Sequence, residues 1–168
     1  MKLSLSRSSI LRTTVLAIVI AMLPGAIRRL IQTGDFYLFT GDFFQDLLTR
    51  LSGPGRLRFI VQPTVAILLG ARDGVKDARG GAPAFLWALA FHEQHRREML
   101  KSGFASVSDL VAVAILLDLI SQFLIFREIR PGAALILGPV LIGIPYAVSR
   151  ALGNRLSRFR RHGDDPTV

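Results

Sequence analysis

The chain has 168 residues and a mass of 18.5 kDa, is 51% hydrophobic and 20% charged, and has a mean hydropathy of +0.44. So apolar a composition excludes a disordered chain, and the absence of cysteine excludes a disulfide scaffold, a thiolate metal site and a thiol nucleophile. Lys plus Arg number 21 against 12 Asp plus Glu, a formal charge of +9; these bases lie between apolar runs, which suits anionic lipid headgroups and argues against nucleic acid. The composition describes a single all-α integral membrane domain over residues 1–168.

The first apolar run, Ile10 to Ile27, is broken only by Arg12 and is flanked by Lys2 and Arg7 before it and Arg28 and Arg29 after it. Its length and the lack of a small-x-small cleavage site favour an uncleaved signal anchor over a signal peptide. Pro24-Gly25 is expected to kink or end this helix. Residues 28–56 read as a periplasmic interfacial segment rich in aromatics: Phe36, Tyr37, Phe39, Phe43 and Phe44. Asp42 with Gln45 predicts a capping box, and Phe43, Phe44, Leu47, Leu48 and Leu51 predict the apolar face of an amphipathic helix. Gly53-Pro54-Gly55 ends it.

Leu57 to Ala71 is the second run. It is short against the roughly 20 residues needed to cross ~30 Å of hydrocarbon, and it holds Arg58, Gln62 and Pro63. A snorkelling full crossing is the reading here, with a re-entrant segment as its alternative. Residues 72–103 form a polar cytoplasmic loop with one interfacial apolar island, Pro83 to Phe91, containing Trp87. The third run, Ala105 to Phe126, and the fourth, Ala133 to Val148, are joined by a short turn and form an antiparallel helical hairpin. Residues 149–168 are a basic tail. The total is about four transmembrane helices with short interfacial amphipathic helices.

For four crossings the bases divide 14 to 7, which places both termini in the cytoplasm of a bacterial inner-membrane protein. A three-pass layout divides them 16 to 5 and moves the N-terminus and residues 28–58. Four crossings are preferred because residues 59–71 carry no ionisable group and because a basic N-terminus usually stays inside.

Asp118 is the most informative residue. It lies about 13 Å down its helix from the outer turn, near the bilayer midplane, where an ionisable group costs at least ~2.5 kcal/mol and faces a protein or watery interior. Ser121 and Gln122 share its face, so the three form a candidate intramembrane polar site. Either they line a proton or cation path, or a neutral Asp118 is hydrogen-bonded to Gln122 and a neighbouring helix. Asp109 falls level with Arg150 across the hairpin, which predicts an ion pair between them. Gly143, Ala147 and Ala151 form a small-residue ridge for close helix packing, within the hairpin, in a homo-oligomer or with a partner protein. Arg155, Arg158, Arg160 and Arg161, with Leu152, Leu156 and Phe159 on one face, describe a basic amphipathic helix on the anionic inner leaflet.

Two tempting motifs fail on spacing. Asp73-Gly74 followed by Ala78-Arg79 resembles the start of the CDP-alcohol phosphatidyltransferase signature. That signature has two residues between the pairs, where this chain has three, and it continues into an aspartate pair absent here. His92 and His95 are three apart, not the four of a zinc-protease helix, and Glu93 is not three residues before a His. No catalytic residue, cofactor site or metal site is therefore assigned. The stretch from Leu57 to Arg158 resembles a group of small bacterial multi-pass inner-membrane proteins of unknown function, through Gly70-Ala-Arg-Asp-Gly74, Leu117-Asp-Leu-Ile-Ser-Gln122, and Pro145-Tyr146 with Arg150 and Asn154-Arg155. The resemblance implies a membrane location and no activity. The leading functional expectation is a non-enzymatic accessory or scaffolding subunit. Its alternatives are a small oligomeric transporter using Asp118 and Gln122, and a lipid-headgroup enzyme using Asp73, Asp77 and Arg79.

Overall fold

The computed structural model describes residues 7–34, 38, 40–53, 55–91 and 93–163. Phe36, Tyr37, Phe39, Pro54 and His92 lie outside the described residues, as do the side chains of His95 and Arg161. The described chain is all-helical: α1 Arg7–Thr33, α2 Gly41–Ser52, α3 Arg58–Arg79, α4 Phe85–Phe91, α5 Glu93–Phe126 and α6 Pro131–Gly163. Its contacts divide it into two units, Met1–Ile60 with Asp109–Val140 and Val61–Ser108 with Leu141–Val168.

Among the described residues, three helices are long and apolar enough to cross a membrane, within Arg7–Gln32, Arg96–Phe126 and Pro131–Arg160. The second run, expected as a short fourth crossing, is not one of the three. The reason lies in α3, where only residues 59–71 are free of charge and Arg72, Asp73, Lys76, Asp77 and Arg79 follow in the same helix. Other boundaries also move. Helix α1 passes through Pro24 and ends at Gly34, whose φ of +67° and N–H bond to the Leu30 carbonyl make a left-handed C-terminal cap. The polar stretch before Lys101 and the third apolar run are one 34-residue helix, α5. Pro131 opens α6, where its missing N–H costs nothing, and the basic tail continues that helix to Gly163. Helix α2 is capped by Thr40, whose Oγ1 accepts from the Phe43 N–H at 3.4 Å, rather than by the Asp42–Gln45 box.

The burial pattern is that of a chain surrounded by an apolar medium. Arg50, Arg58, Gln62, Asp118, Gln122, Arg150 and Asn154 are buried, while Ile31, Leu48, Leu57, Ile60, Leu68 and Phe159 are among the large apolar side chains left exposed. A water-soluble fold does the reverse. Helix α2 illustrates the inversion. It buries Phe43 and Arg50 and turns Phe44, Leu48 and Leu51 outward. The predicted apolar face therefore splits, and Arg50 points into the protein.

In the first unit, α1 packs Val15 and Val19, with Leu11, Ile18 and Met22 beside them, against Ala112, Ile115 and Leu119 of α5 and Ala134 of α6. Gly138 lets α6 lie on Ile115, since a Cβ there would stand 2.9 Å from its side chain. In the second unit α3 and α6 touch backbone to backbone. A Cβ at Gly70 would collide with the Ser149 hydroxyl and the Tyr146 carbonyl, one at Gly74 with the Arg150 carbonyl, and one at Gly153 would lie 2.7 Å from the Ala71 carbonyl. Ala66, Gly70, Gly74 and Ala78 are all buried at a spacing of four, so α3 presents one narrow small-residue ridge along its length.

Candidate functional site

Each unit contains one buried cluster built around arginine. In the first unit the centre is Asp118, in the apolar stretch of α5 and 2% exposed. Arg58, the first residue of α3, places Nη2 2.5 Å from Asp118 Oδ1, and Arg50, near the end of α2, places Nη1 3.4 Å from Oδ2. Gln122, one turn along α5, donates from Nε2 to Oδ2 at 2.6 Å. Its Oε1 accepts from the Arg130 backbone N–H at 2.7 Å, which ties the carboxylate to the turn between α5 and α6. The predicted link of Asp118 to Gln122 is present. Ser121 is buried but takes a different role: its hydroxyl lies where a Cβ on Gly55 would come within 2.7 Å.

Gly53 and Gly55 help to position both arginines. Gly53 seats on Ile125, where a Cβ would be 3.1 Å from its Cδ1, and Gly55, with φ of +91°, seats on Ser121. Side chains at these positions would lift the ends of α2 and α3 off α5. Aromatic faces cover the guanidiniums: Phe126 lies 5.6 Å from Arg50 and Phe59 lies 4.7 Å from Arg58. Arg50 Nε and Arg58 Nε and Nη1 are buried without a hydrogen-bond partner. Arg58 Nη2 meets Asp118 by distance but not in hydrogen-bond alignment. Two guanidiniums, which keep their charge, thus face one carboxylate. The sequence pointed to Asp118 and Gln122 and missed the two arginines. The available signal was an arginine inside the second apolar run, read instead as a snorkelling charge.

In the second unit the centre is Arg150 of α6. It donates from Nε and Nη2 to the two oxygens of Asp77 at 2.7 and 3.0 Å, the bidentate geometry favoured by guanidinium and carboxylate. Nη2 also reaches Ser102 Oγ at 3.0 Å and Nη1 reaches the Tyr146 hydroxyl oxygen at 3.0 Å, while the Phe85 ring lies 4.5 Å from the guanidinium. The Tyr146 hydroxyl in turn donates to Asp73 Oδ2 at 2.8 Å. Asp73 and Asp77 share one face of α3, so the carboxylates of the phosphatidyltransferase-like motif are held by α6. Among the described residues no three His, Asp or Glu side chains gather as metal ligands.

The expected Asp109–Arg150 pair is replaced. Arg150 is taken by Asp77, and Asp109 stands 3.2 Å from Arg12 Nε in a surface pair. Levelling residues along a hairpin ignored the better-placed acid on α3. The basic tail is also partly reassigned. Arg158 donates to the Ala82 and Gly81 carbonyls at 2.6 and 3.2 Å, and Asn154 donates to Ala82 at 3.1 Å. The two side chains therefore satisfy backbone acceptors just beyond α3. Arg155 and Arg160 are exposed, as are Leu152, Leu156 and Phe159. Of the proposed ridge, Ala151 is buried, Ala147 packs against the Phe85–Ala88–Met99 cluster, and Gly143 has open space around it.

No protein-family model, curated protein or solved structure matches the chain.

Proposed function

We propose that the protein is a non-enzymatic accessory or scaffolding subunit of a bacterial inner-membrane assembly. One observation carries the reading: the carboxylates that the sequence offers for chemistry are each engaged by the chain's own side chains. Asp118 is held by Arg50, Arg58 and Gln122, Asp77 by Arg150, and Asp73 by Tyr146. A proton path needs an acid free to exchange with water, and metal-assisted diphosphate chemistry needs carboxylates free to bind a cation. The exposed apolar helix faces, by contrast, are what lipid or a second membrane protein would cover.

In this proposal the second apolar segment, Leu57–Ala71, is a short fourth crossing. Gly53 and Gly55, just before it, seat on Ile125 and Ser121 of α5. Non-helical backbone is tolerated at such depth when protein covers it. Both termini are cytoplasmic, and the exposed Arg155 and Arg160 meet anionic headgroups. Single cysteines, introduced into a chain that has none, test the topology. Residues 45 and 101 should label from opposite compartments; labelling from one compartment removes the fourth crossing.

Mild-detergent extraction followed by mass measurement tests the function. A bound partner protein is the expected result, and a chain recovered only alone or as a homo-oligomer opposes it. The second reading, a small oligomeric transporter, is favoured by the unpartnered nitrogens of Arg50 and Arg58 beside a helix break, a feature that transporters use at ion sites. Asp118→Asn separates the two, because only a transporter loses flux.

A further inference from the structure

The first unit also contains an open cleft that neither buried cluster uses. It has a volume of about 980 Å³ and lies between the second half of α1, the start of α2 and the turn leading into α6. One part of its wall is apolar, formed by Ala21, Met22, Ala26, Leu30 and Ile129. Gly25 widens it, since a Cβ there would meet nothing within 4 Å. The rim is charged. Arg29 binds Glu128 with two hydrogen bonds, at 2.9 and 3.3 Å, and Arg130 bridges Glu128 and Asp46. Asp42 completes the rim and is in no ion pair among the described residues.

The geometry points to a single zwitterionic phospholipid with a primary ammonium headgroup as the occupant of this cleft. An apolar wall meeting a charged rim at the end of a membrane-length helix matches an acyl chain below a headgroup. Charge selects among headgroups. Two carboxylates, Asp42 and Glu128, and two guanidiniums, Arg29 and Arg130, line the cleft, so its described rim carries both signs in balance although the whole chain is +9. A headgroup whose only charge is its phosphate has no cation for Asp42. A phosphoethanolamine offers both signs: its ammonium donates to Asp42, and its phosphate meets the half-exposed guanidinium of Arg29. A choline group has the same charge but no N–H to donate. The inference goes beyond a scaffolding role and does not depend on it, since an accessory subunit and a transporter would each present the same cleft.

The test uses the full chain in nanodiscs containing equal parts of phosphatidylethanolamine, phosphatidylcholine and phosphatidylglycerol. The protein is released into mild detergent, and the lipid retained per chain is read by native mass spectrometry. One phosphatidylethanolamine should be retained in preference to the other two. Asp42→Asn should lower that preference about tenfold, the value of one charge-assisted hydrogen bond. Gly25→Phe, which fills the cleft from a position with free space, should abolish retention. Equal retention of the three classes overturns the headgroup assignment, and retention that survives Gly25→Phe overturns the location. Absence of any retained lipid overturns both. If Gly25→Phe does not elute as a folded species, Asp42→Asn decides alone, because it changes an exposed side chain without changing its shape.

Discussion

The two buried arginine clusters solve one problem in opposite ways. Around Arg150, one guanidinium is matched to one carboxylate, while Nη2 also donates to Ser102 and Nη1 to Tyr146. Around Asp118, two guanidiniums converge on one carboxylate, and four of their nitrogens are buried without an aligned hydrogen bond. The first cluster is closed and the second carries a surplus positive charge. Arginine cannot shed that charge by losing a proton, so Asp118 is the group on which the arrangement depends. Asp77, in contrast, is one partner of several.

The largest expected effect follows from this asymmetry. Asp118→Asn leaves two buried guanidiniums without a counter-ion and should destabilise the protein by about 3–5 kcal/mol, read as unfolding in a detergent denaturation series. Replacing Arg50 and Arg58 by Met together with Asp118→Leu should recover most of the loss, because an apolar core in place of a buried ion group is often neutral or better. If the triple variant is no more stable than Asp118→Asn, the cluster is held by more than its charges.

Asp77→Asn should cost less, about 1.5–3 kcal/mol, because Arg150 keeps Tyr146, Ser102 and the face of Phe85. Equal costs for Asp77→Asn and Asp118→Asn would erase the distinction between the clusters. Tyr146→Phe sits lower still. It removes the hydroxyl between Arg150 and Asp73 and should cost about 1 kcal/mol, the net value of an ordinary hydrogen bond. A double-mutant cycle of Tyr146→Phe with Asp77→Asn should show coupling, since both act on one guanidinium.

What was legible in the sequence follows from range. The helices were read from apolar runs, which are local, and so was the burial of Asp118, because an acid inside such a run has nowhere else to go. The Gln122 link was also local, four residues along one helix. Arg50, however, lies 68 positions from Asp118, and nothing in a periodic pattern states which distant charge a buried acid will meet. The same reason hid the Asp77–Arg150 pair. The Gly70–Gly74 ridge was different, because its spacing was visible. The small residues on α6 at Gly143, Ala147 and Ala151 drew attention instead, whereas the face that α6 turns to α3 carries Ser149 and Gly153. Two ridges a short rotation apart on one helix look alike until a partner fixes the rotation. Helix α2 differs for a related reason: its apolar residues were placed on one interfacial face, but Phe43 turns inward while Phe44, Leu48 and Leu51 stay outside.

The smallest effect belongs to the surface of the first unit and provides a control for the buried clusters. Glu128, in the turn before α6, is held below the usual carboxylate range, chiefly by its hydrogen bonds to Arg29. A carboxyl whose pKa is lower folded than unfolded contributes stability at pH above its unfolded value of about 4.3, and that contribution disappears as the pH falls through the folded value. The protein should therefore lose a small increment of thermal stability on acidification below about pH 4.3, and Arg29→Gln should flatten that part of the profile. The pair is roughly half exposed and screened by salt, so the increment should shrink further in concentrated sodium chloride. Asp118→Asn should show no such salt sensitivity, because ions do not reach a charge that is 2% exposed inside an apolar stretch. A matching salt response from both sites would mean that water reaches Asp118, and the contrast between a screened rim and a dry interior would fail.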